Sequence, residues 1–271
     1  MNDKKIISTG IATLDKTIVG FYPADLIVVG GRPGMGKSTF MLNVAHHIAC
    51  SKKHKVAIFS LEMSKEEIQK YLLACEAQIS IFTICRGDLT AHEQARLKCA
   101  SDVLRDAPIV IEDTPAITVS EIKEKLQQME DVDIVFIDYL QLLISNNSRS
   151  FSPMDYAKAS RELKTMAKEM NIPIVVLSQL PRANTGRVDN RPILNDLRNY
   201  GTVLQDSDLV LFLYRDEYYR KTDNAALQKK DPITEIIVAK NRNGEIGTVN
   251  VYFNSEFESY SHLSDENGSC E

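Results

Sequence analysis

No apolar run in this sequence approaches the ~20 residues that a membrane-spanning helix needs, so a membrane anchor is not expected. Residues 1–5, Met-Asn-Asp-Lys-Lys, lead into no signal-peptide core, and nothing points to export. The five cysteines, Cys50, Cys75, Cys85, Cys99 and Cys270, make no C-x-x-C pair and no His/Cys metal spacing. They read as buried thiols in a reducing compartment, and a cytoplasmic location is expected. Basic charge is not in excess either, with 32 Lys and Arg against 37 Asp and Glu. A net charge of −5 removes global attraction to nucleic acid but leaves a local basic stripe open. No internal repeat, linker or second core pattern divides the 271 residues. A single domain over 1–271 is therefore expected, with 1–8 a flexible lead-in and 259–271 a frayed tail. At 44% hydrophobic and 25% charged, the composition is that of an ordinary globular chain with a sizeable core.

What is present centres on residues 31–39, Gly31-Arg32-Pro33-Gly34-Met35-Gly36-Lys37-Ser38-Thr39. An apolar run, Leu26-Ile27-Val28-Val29, precedes them, and an amphipathic stretch starting at Phe40 follows. Gly31 to Ser38 satisfies G-x-x-x-x-G-K-[ST] between a buried strand and a helix start, the setting this pattern requires. Glycines let backbone N–H groups close on a polyphosphate, and the helix end adds unpaired donors and a positive dipole. Lys37 is placed to reach β- and γ-phosphates and Ser38 to ligate Mg²⁺. An ordinary Gly/Pro turn does not need all eight positions and both flanks. The motif predicts a nucleoside triphosphate site with Mg²⁺.

Further apolar runs occur at 55–60, 108–112, 132–139, 172–177 and 208–214. They alternate with helical patterns, two of which open on capping boxes, Ser64 with Glu67 and Thr90 with Glu93. Residues 80–107 read as helical, and a brief helix is expected near 194–198 within a long loop over 180–200. A polar loop is expected at 145–153. Runs at 234–240 and 248–253 flank Asn243-Gly244, a strong hairpin signal. Strands alternating with helices predict an α/β fold: a central, mostly parallel sheet with helices on both faces and an antiparallel C-terminal hairpin.

Asp138 ends the run at 132–139, where a carboxylate can hold Mg²⁺ through water. Tyr139 follows it, so a general base does not come from that position. Glu62, just past the run at 55–60, is the candidate for orienting the attacking water. It could equally favour the start of the next helix, and the residues alone leave both readings open.

Five ordered blocks now carry a resemblance: 31–38, Ser60-Leu61-Glu62-Met63-Ser64, Asp138-Tyr139-Leu140-Gln141-Leu142, Leu177-Ser178-Gln179-Leu180, and Lys240-Asn241-Arg242-Asn243-Gly244. Together they resemble the RecA-like ATPase domain of DnaB-type replicative helicases, over about residues 8–257. The resemblance implies a P-loop ATPase of RecA-like fold that runs on single-stranded DNA as a hexameric ring. Primase and a helicase loader are the partners it implies. By position, Glu62 is implied as catalytic base, Asp138 as metal carboxylate and Gln179 as the link between γ-phosphate and the DNA loops. Lys240 and Arg242 are implied to act in a neighbouring subunit's site, Arg242 as an arginine finger. Without the resemblance, Lys240 and Arg242 read equally as a charged hairpin that deters edge pairing. Gln179 reads equally as a satisfied polar residue at a strand end.

The segment holding Arg182, Arg187, Arg191 and Arg198 is the one local basic concentration. The resemblance places Arg198, Asn199 and the backbone near Gly201, with Arg182 beside them, on a channel-facing DNA loop. The chain has no tryptophan, and Tyr200 is the one aromatic in that stretch. Strand contact should therefore be sequence-tolerant and salt-sensitive. A solvated surface loop is the plainer reading.

Two departures stand out. The family's helical N-terminal domain and linker helix have no room before Gly31, which fits the ATPase portion of a longer helicase or an ATPase-only relative. Tyr71 stands where an Arg is expected after the Glu62 block, with Lys70 its possible replacement. The expected function is ATP-driven DNA unwinding. Its competitors are a RecA-fold ATPase without unwinding, in recombination, signalling or regulation, and a nucleotide-binding subunit without autonomous activity.

Overall fold

Apolar runs too hydrophobic to face water on either side become the central strands of a parallel sheet. In the computed structural model these are β1 (Leu26–Gly31), β2 (Val56–Ser60), β4 (Ile134–Asp138), β5 (Ile174–Gln179) and β6 (Leu209–Tyr214), buried almost throughout. β3 (Ile109–Glu112) is the half-buried outer edge. The structure describes residues 5–143, 153–181, 187, 189–219 and 233–262. The expected loop at 145–153 lies, apart from Pro153, outside the described residues.

The antiparallel wing consists of β7 (Ile233–Asn241), β8 (Gly247–Asn254) and β9 (Ser259–His262). Strand order is β3-β2-β4-β5-β1-β6-β7-β8-β9. Pairing is parallel from β3 through β6 and antiparallel from β6 through β9. Successive strand residues serve opposite layers, as a period of two requires. Ile27 and Val29 pack with α1 (Ala12–Ile18), α2 (Lys37–His46) and α3 (Lys65–Ala77). Leu26 and Val28 pack with α6 (Val119–Gln128) and α7 (Pro153–Met170). The expected parallel sheet, two-sided helical cover and C-terminal hairpin are all present.

Local signals explain the helix starts. Both expected capping boxes form, Ser64 with Glu67 and Thr90 with Glu93, and Thr118 with Glu121 adds a third. The expected helix over 80–107 is instead two, α4 (Ile81–Arg86) and α5 (Ala91–Arg105), divided where Gly87 takes φ +74°. The brief helix near 194–198 is a 3₁₀ turn, Leu194–Tyr200, followed by α8 (Val203–Asp206).

Three expectations are corrected. The lead-in over 1–8 is not flexible in its described part, because Ile7 is 3% exposed and bridges Phe21, and the Ser8 hydroxyl donates to Asp15 at 2.7 Å. The tail is not frayed from Ser259, because Ser259–His262 pairs with β8. Its hold is Tyr260, packed 5.0 Å from Phe253 and 6.0 Å from Phe40, ring centre to ring centre. Nor are the thiols uniformly buried: Cys85 and Cys99 are exposed, and Cys50 and Cys75 are half-buried. Among the described residues, no helix is long and apolar enough to cross a membrane.

Candidate active site

In open parallel sheets, ligands bind beyond the carboxyl ends of the strands. The register brings four such ends together here, pairing Ser60 with Asp138 and Gly31 with Gln179. The loop after β1 wraps into α2 with Gly34 at φ +78° and Gly36 at φ +82°. Gly36 caps the helix from this left-handed conformation, and a Cβ there would stand 2.8 Å from the Tyr260 hydroxyl. Only glycine fits at low cost.

Ser38 and Asp138 meet directly, the Ser38 hydroxyl donating to Asp138 Oδ2 at 2.6 Å. Asp138 is 1% exposed. Burial pushes its carboxyl up to about 6, with the nearby Glu62 charge acting in the same direction and the Ser38 hydroxyl and Lys37 opposing it. Lys37 donates to the Arg32 carbonyl at 3.2 Å. Burial lowers its pKa, while Asp138 and Glu62 pull the other way. Glu62 is exposed on the turn after β2. That turn is shaped by Ser60, whose hydroxyl donates to the Met63 carbonyl at 2.7 Å and accepts from the Met63 N–H at 3.1 Å. Leu61 N–H donates to the Asp138 carbonyl at 2.7 Å, fixing the turn beside β4. Lys37, Ser38, Glu62 and Asp138 therefore converge from three separate sequence blocks.

The rest of the loop divides by atom. Arg32 is 4% exposed, and its side chain is turned to partners within the chain. Its guanidinium donates to the carbonyls of Pro181 (3.2 Å) and Asn190 (2.6 Å) and to the Tyr219 hydroxyl (2.8 Å). The Met35 side chain lies in the core beneath the sheet. The Thr39 hydroxyl donates to Glu258 at 3.2 Å.

Gln179 is held by residues to which the sequence reading gave no role. Gln141 accepts the Gln179 N–H at 3.1 Å and donates to its carbonyl at 3.1 Å. The Tyr200 hydroxyl donates to the same carbonyl at 2.6 Å. The Gln179 side chain makes no hydrogen bond among the described residues. Tyr200 ends the 3₁₀ turn that carries Arg198, so the turn and the end of β5 are directly joined.

Of the three described arginines in the basic concentration, two are paired within the chain. Arg187 makes two contacts of 3.1 Å with Asp196. Arg191 grips Glu235 at 2.7 and 2.5 Å and stacks 5.0 Å over Tyr214. Tyr214 in turn stacks on Tyr219, and Tyr219 on Arg32. Arg198 is exposed with no ion pair or hydrogen bond among the described residues. Arg182 lies outside the described residues. Gly201 follows at φ +62°, with Pro153 O only 2.3 Å from where a Cβ would stand.

Lys240 and Arg242 lie at the opposite end of the sheet. Asn241 pairs with Leu209, the first residue of β6, whereas Gly30 pairs with Phe212 near its end. The six residues of β6, rising ~3.3 Å per step, put roughly 17 Å between its two ends. Lys240 caps α8, donating to the carbonyls of Leu204 (2.6 Å) and Ser207 (2.5 Å). Neither cation reaches the phosphate loop. Tyr71 packs against the core, and Lys70 is exposed.

Comparison with known proteins gives a consistent result. A replicative DNA helicase of Bacillus subtilis (strain 168), named DnaC, is 41% identical over 262 residues, covering 95% of this chain and 56% of its own length. The replicative DNA helicase DnaB of Geobacillus stearothermophilus is 40% identical with the same coverage. The chain thus spans just over half the length of these curated relatives. Among solved structures, one described as an ATPase domain superposes with a TM-score of 0.87 at 33% identity, covering 97% of this chain and 94% of that one. A DnaB-like replicative helicase, described with its interactions with primase, gives 0.88 at 33%, covering 96% and 62%. The model of the DnaB-like helicase C-terminal domain matches residues 6–262, and with the phosphate loop, the carboxylates and the sheet order in place, the chain belongs to that family.

Proposed function

We propose that this chain is the ATP-hydrolysing motor of a replicative DNA helicase, acting in a ring and moving along single-stranded DNA. The observation that carries the reading is the convergence of Ser38, Asp138, Lys37 and Glu62 at adjoining strand ends, with Ser38 Oγ 2.6 Å from Asp138 Oδ2. Two hard oxygen donors beside a phosphate loop fit Mg²⁺, which takes few protein ligands and completes its shell with phosphates and water. When bound, Mg²⁺ neutralises charge on the phosphate oxygens.

The protein's own groups do the remainder. Main-chain N–H groups of 31–38 and the start of α2 cradle the phosphates. Lys37 leaves the Arg32 carbonyl for β- and γ-phosphate oxygens. Glu62, exposed and unencumbered, orients the attacking water and takes its proton. Lys240 and Arg242 serve a neighbouring copy's site, where fixed cations stabilise the charge developing on the transferring phosphoryl group. Gln179 meets the γ-phosphate with its side chain, while its carbonyl is tied to Tyr200. Arg198, Asn199 and the backbone at Gly201 then contact successive phosphates of the strand. Primase and a loader are the partners this reading implies.

The test is hydrolysis with and without single-stranded DNA, paired with displacement of a strand from a forked duplex. Stimulated hydrolysis with displacement supports the motor. Stimulated hydrolysis without displacement supports a RecA-fold ATPase of another kind, and hydrolysis indifferent to DNA overturns the reading.

A further inference from the structure

We propose that Asp208 is a positioning residue for Arg242, setting that guanidinium at the rim of the subunit where a neighbouring copy's nucleotide can meet it. The inference rests on reading Arg242 as a cation that acts in trans. Asp208 immediately precedes β6, and its side chain is 5% exposed. Its Oδ2 accepts the N–H of Leu26, the first residue of β1, at 2.8 Å, and the Lys164 ammonium of α7 at 2.5 Å. Oδ1 accepts Arg242 Nη1 at 3.0 Å. One buried carboxylate thus joins the central strand, a covering helix and the hairpin.

The hairpin is clamped on both sides of this contact. Arg242 N–H donates to the Asp208 carbonyl at 3.0 Å, and Arg242 Nη2 to the Gln205 carbonyl at 2.9 Å. Asn243 Nδ2 donates to Asp25 Oδ2 at 2.8 Å, tying down the next residue.

Donor count and charge decide what this clamp can do. A guanidinium carries five N–H donors in a rigid fork. Two are committed here, which leaves three, on a side chain that is 51% exposed. A phosphate oxygen from a neighbouring copy can therefore bind without Asp208 letting go. Asp208 also does not neutralise Arg242 outright, because its one negative charge is shared between two cations, Lys164 and Arg242. Asp208 thus aims the cation without cancelling it. An unheld arginine at a hairpin tip would sample many rotamers, whereas catalysis by a distant group depends on its being in place beforehand.

A folding clamp and an aiming device are separated by asking which subunit carries the defect. Mixed rings are formed from a Lys37→Ala chain, which supplies only the finger, and an Arg242→Ala chain, which supplies only the phosphate loop. Phosphate release from ATP is measured with an oligo-dT strand present. Asp208→Glu, which keeps the charge but moves the carboxylate, is placed on one chain or the other, with Asp208→Asn as the second variant, and melting curves accompany both. On the finger-supplying chain we expect hydrolysis to fall about tenfold or more, the scale of an ångström-sized misplacement. On the loop-supplying chain we expect no fall. Equal loss from either placement, or loss from neither, overturns the inference and leaves Asp208 a structural clamp. Full turnover by unmixed Arg242→Ala rings, or no hydrolysis in rings shown to contain both parent chains, strikes instead at the trans reading of Arg242.

Discussion

Asp25 stands beside this clamp, and its charge is a calculable burden on the fold. Burial raises its carboxyl from 3.8 to about 6, helped by the Asp208 charge and opposed by Lys164, Asn243 and Arg242. A carboxyl whose folded pKa lies above its unfolded value favours folding fully below the unfolded value, near 3.8 here. That contribution is lost as pH rises through about 6. Above that pH the ionised Asp25 weakens the native state relative to a neutral side chain. Roughly two pKa units correspond to ~3 kcal/mol, and partial solvent screening of this half-buried group brings that to about 1.5 kcal/mol. Asp25→Asn removes the charge and keeps an oxygen to accept the Asn243 amide. At pH 8 the variant should melt about 3–6 °C higher than the parent, at ~2–4 °C per kcal/mol for a chain of this order. The gap should shrink through pH 6 and vanish near pH 4. Melts at pH 8, 6 and 4 test this. A variant less stable at pH 8, or a gap that ignores pH, refutes the reasoning.

Three further outcomes are expected. Glu62→Gln should keep ATP affinity while hydrolysis falls by roughly a hundredfold or more, the scale of a lost general base, whereas Lys37→Ala should weaken binding itself; normal turnover by Glu62→Gln would place the base elsewhere. Arg198→Ala should weaken binding of all single-stranded sequences alike and lower the salt slope by roughly 0.7 per lost contact. Arg191→Ala, which breaks the grip on Glu235, should lower stability and leave that slope unchanged. Gly201→Ala sets a Cβ 2.3 Å from Pro153 O at φ +62° and should cost at least ~1–3 kcal/mol in urea melts.

The parts of the fold that were legible are those written in consecutive residues. Val28 and Val29 before Gly31, or Phe136 and Ile137 before Asp138, are short apolar runs that only a sheet covered on both faces can bury. The boxes at Ser64 and Thr90 lie within four residues and formed as expected. The misses are long-range. Arg191 counts as free positive charge until β7 places Glu235 against it, 44 residues later. Arg32 reads as one more residue of a phosphate loop, yet its partners Pro181, Asn190 and Tyr219 arrive from 149 to 187 residues away. Gln141 gave no signal beyond its place in a block, because what it does depends on the main chain of β5. Ser259–His262 reads as polar tail because one aromatic, Tyr260, does the anchoring. The Gly87 break in 80–107 was the exception: the signal was local, and a glycine at the end of a helical pattern is where a left-handed stop belongs.

The crowding of Tyr218 against Gly34 and of Tyr260 against Gly36, with Tyr219 bonded to Arg32, also gives the protein an optical property. With ten tyrosines and no tryptophan, its intrinsic ultraviolet emission is dominated by phenol rings. Three of those rings line one loop, so a ligand seated there alters their surroundings, whereas rings away from the site, such as Tyr22 and Tyr252, supply background. Nucleotide occupancy should therefore be readable from the unlabelled chain, by following tyrosine fluorescence as ligand is added.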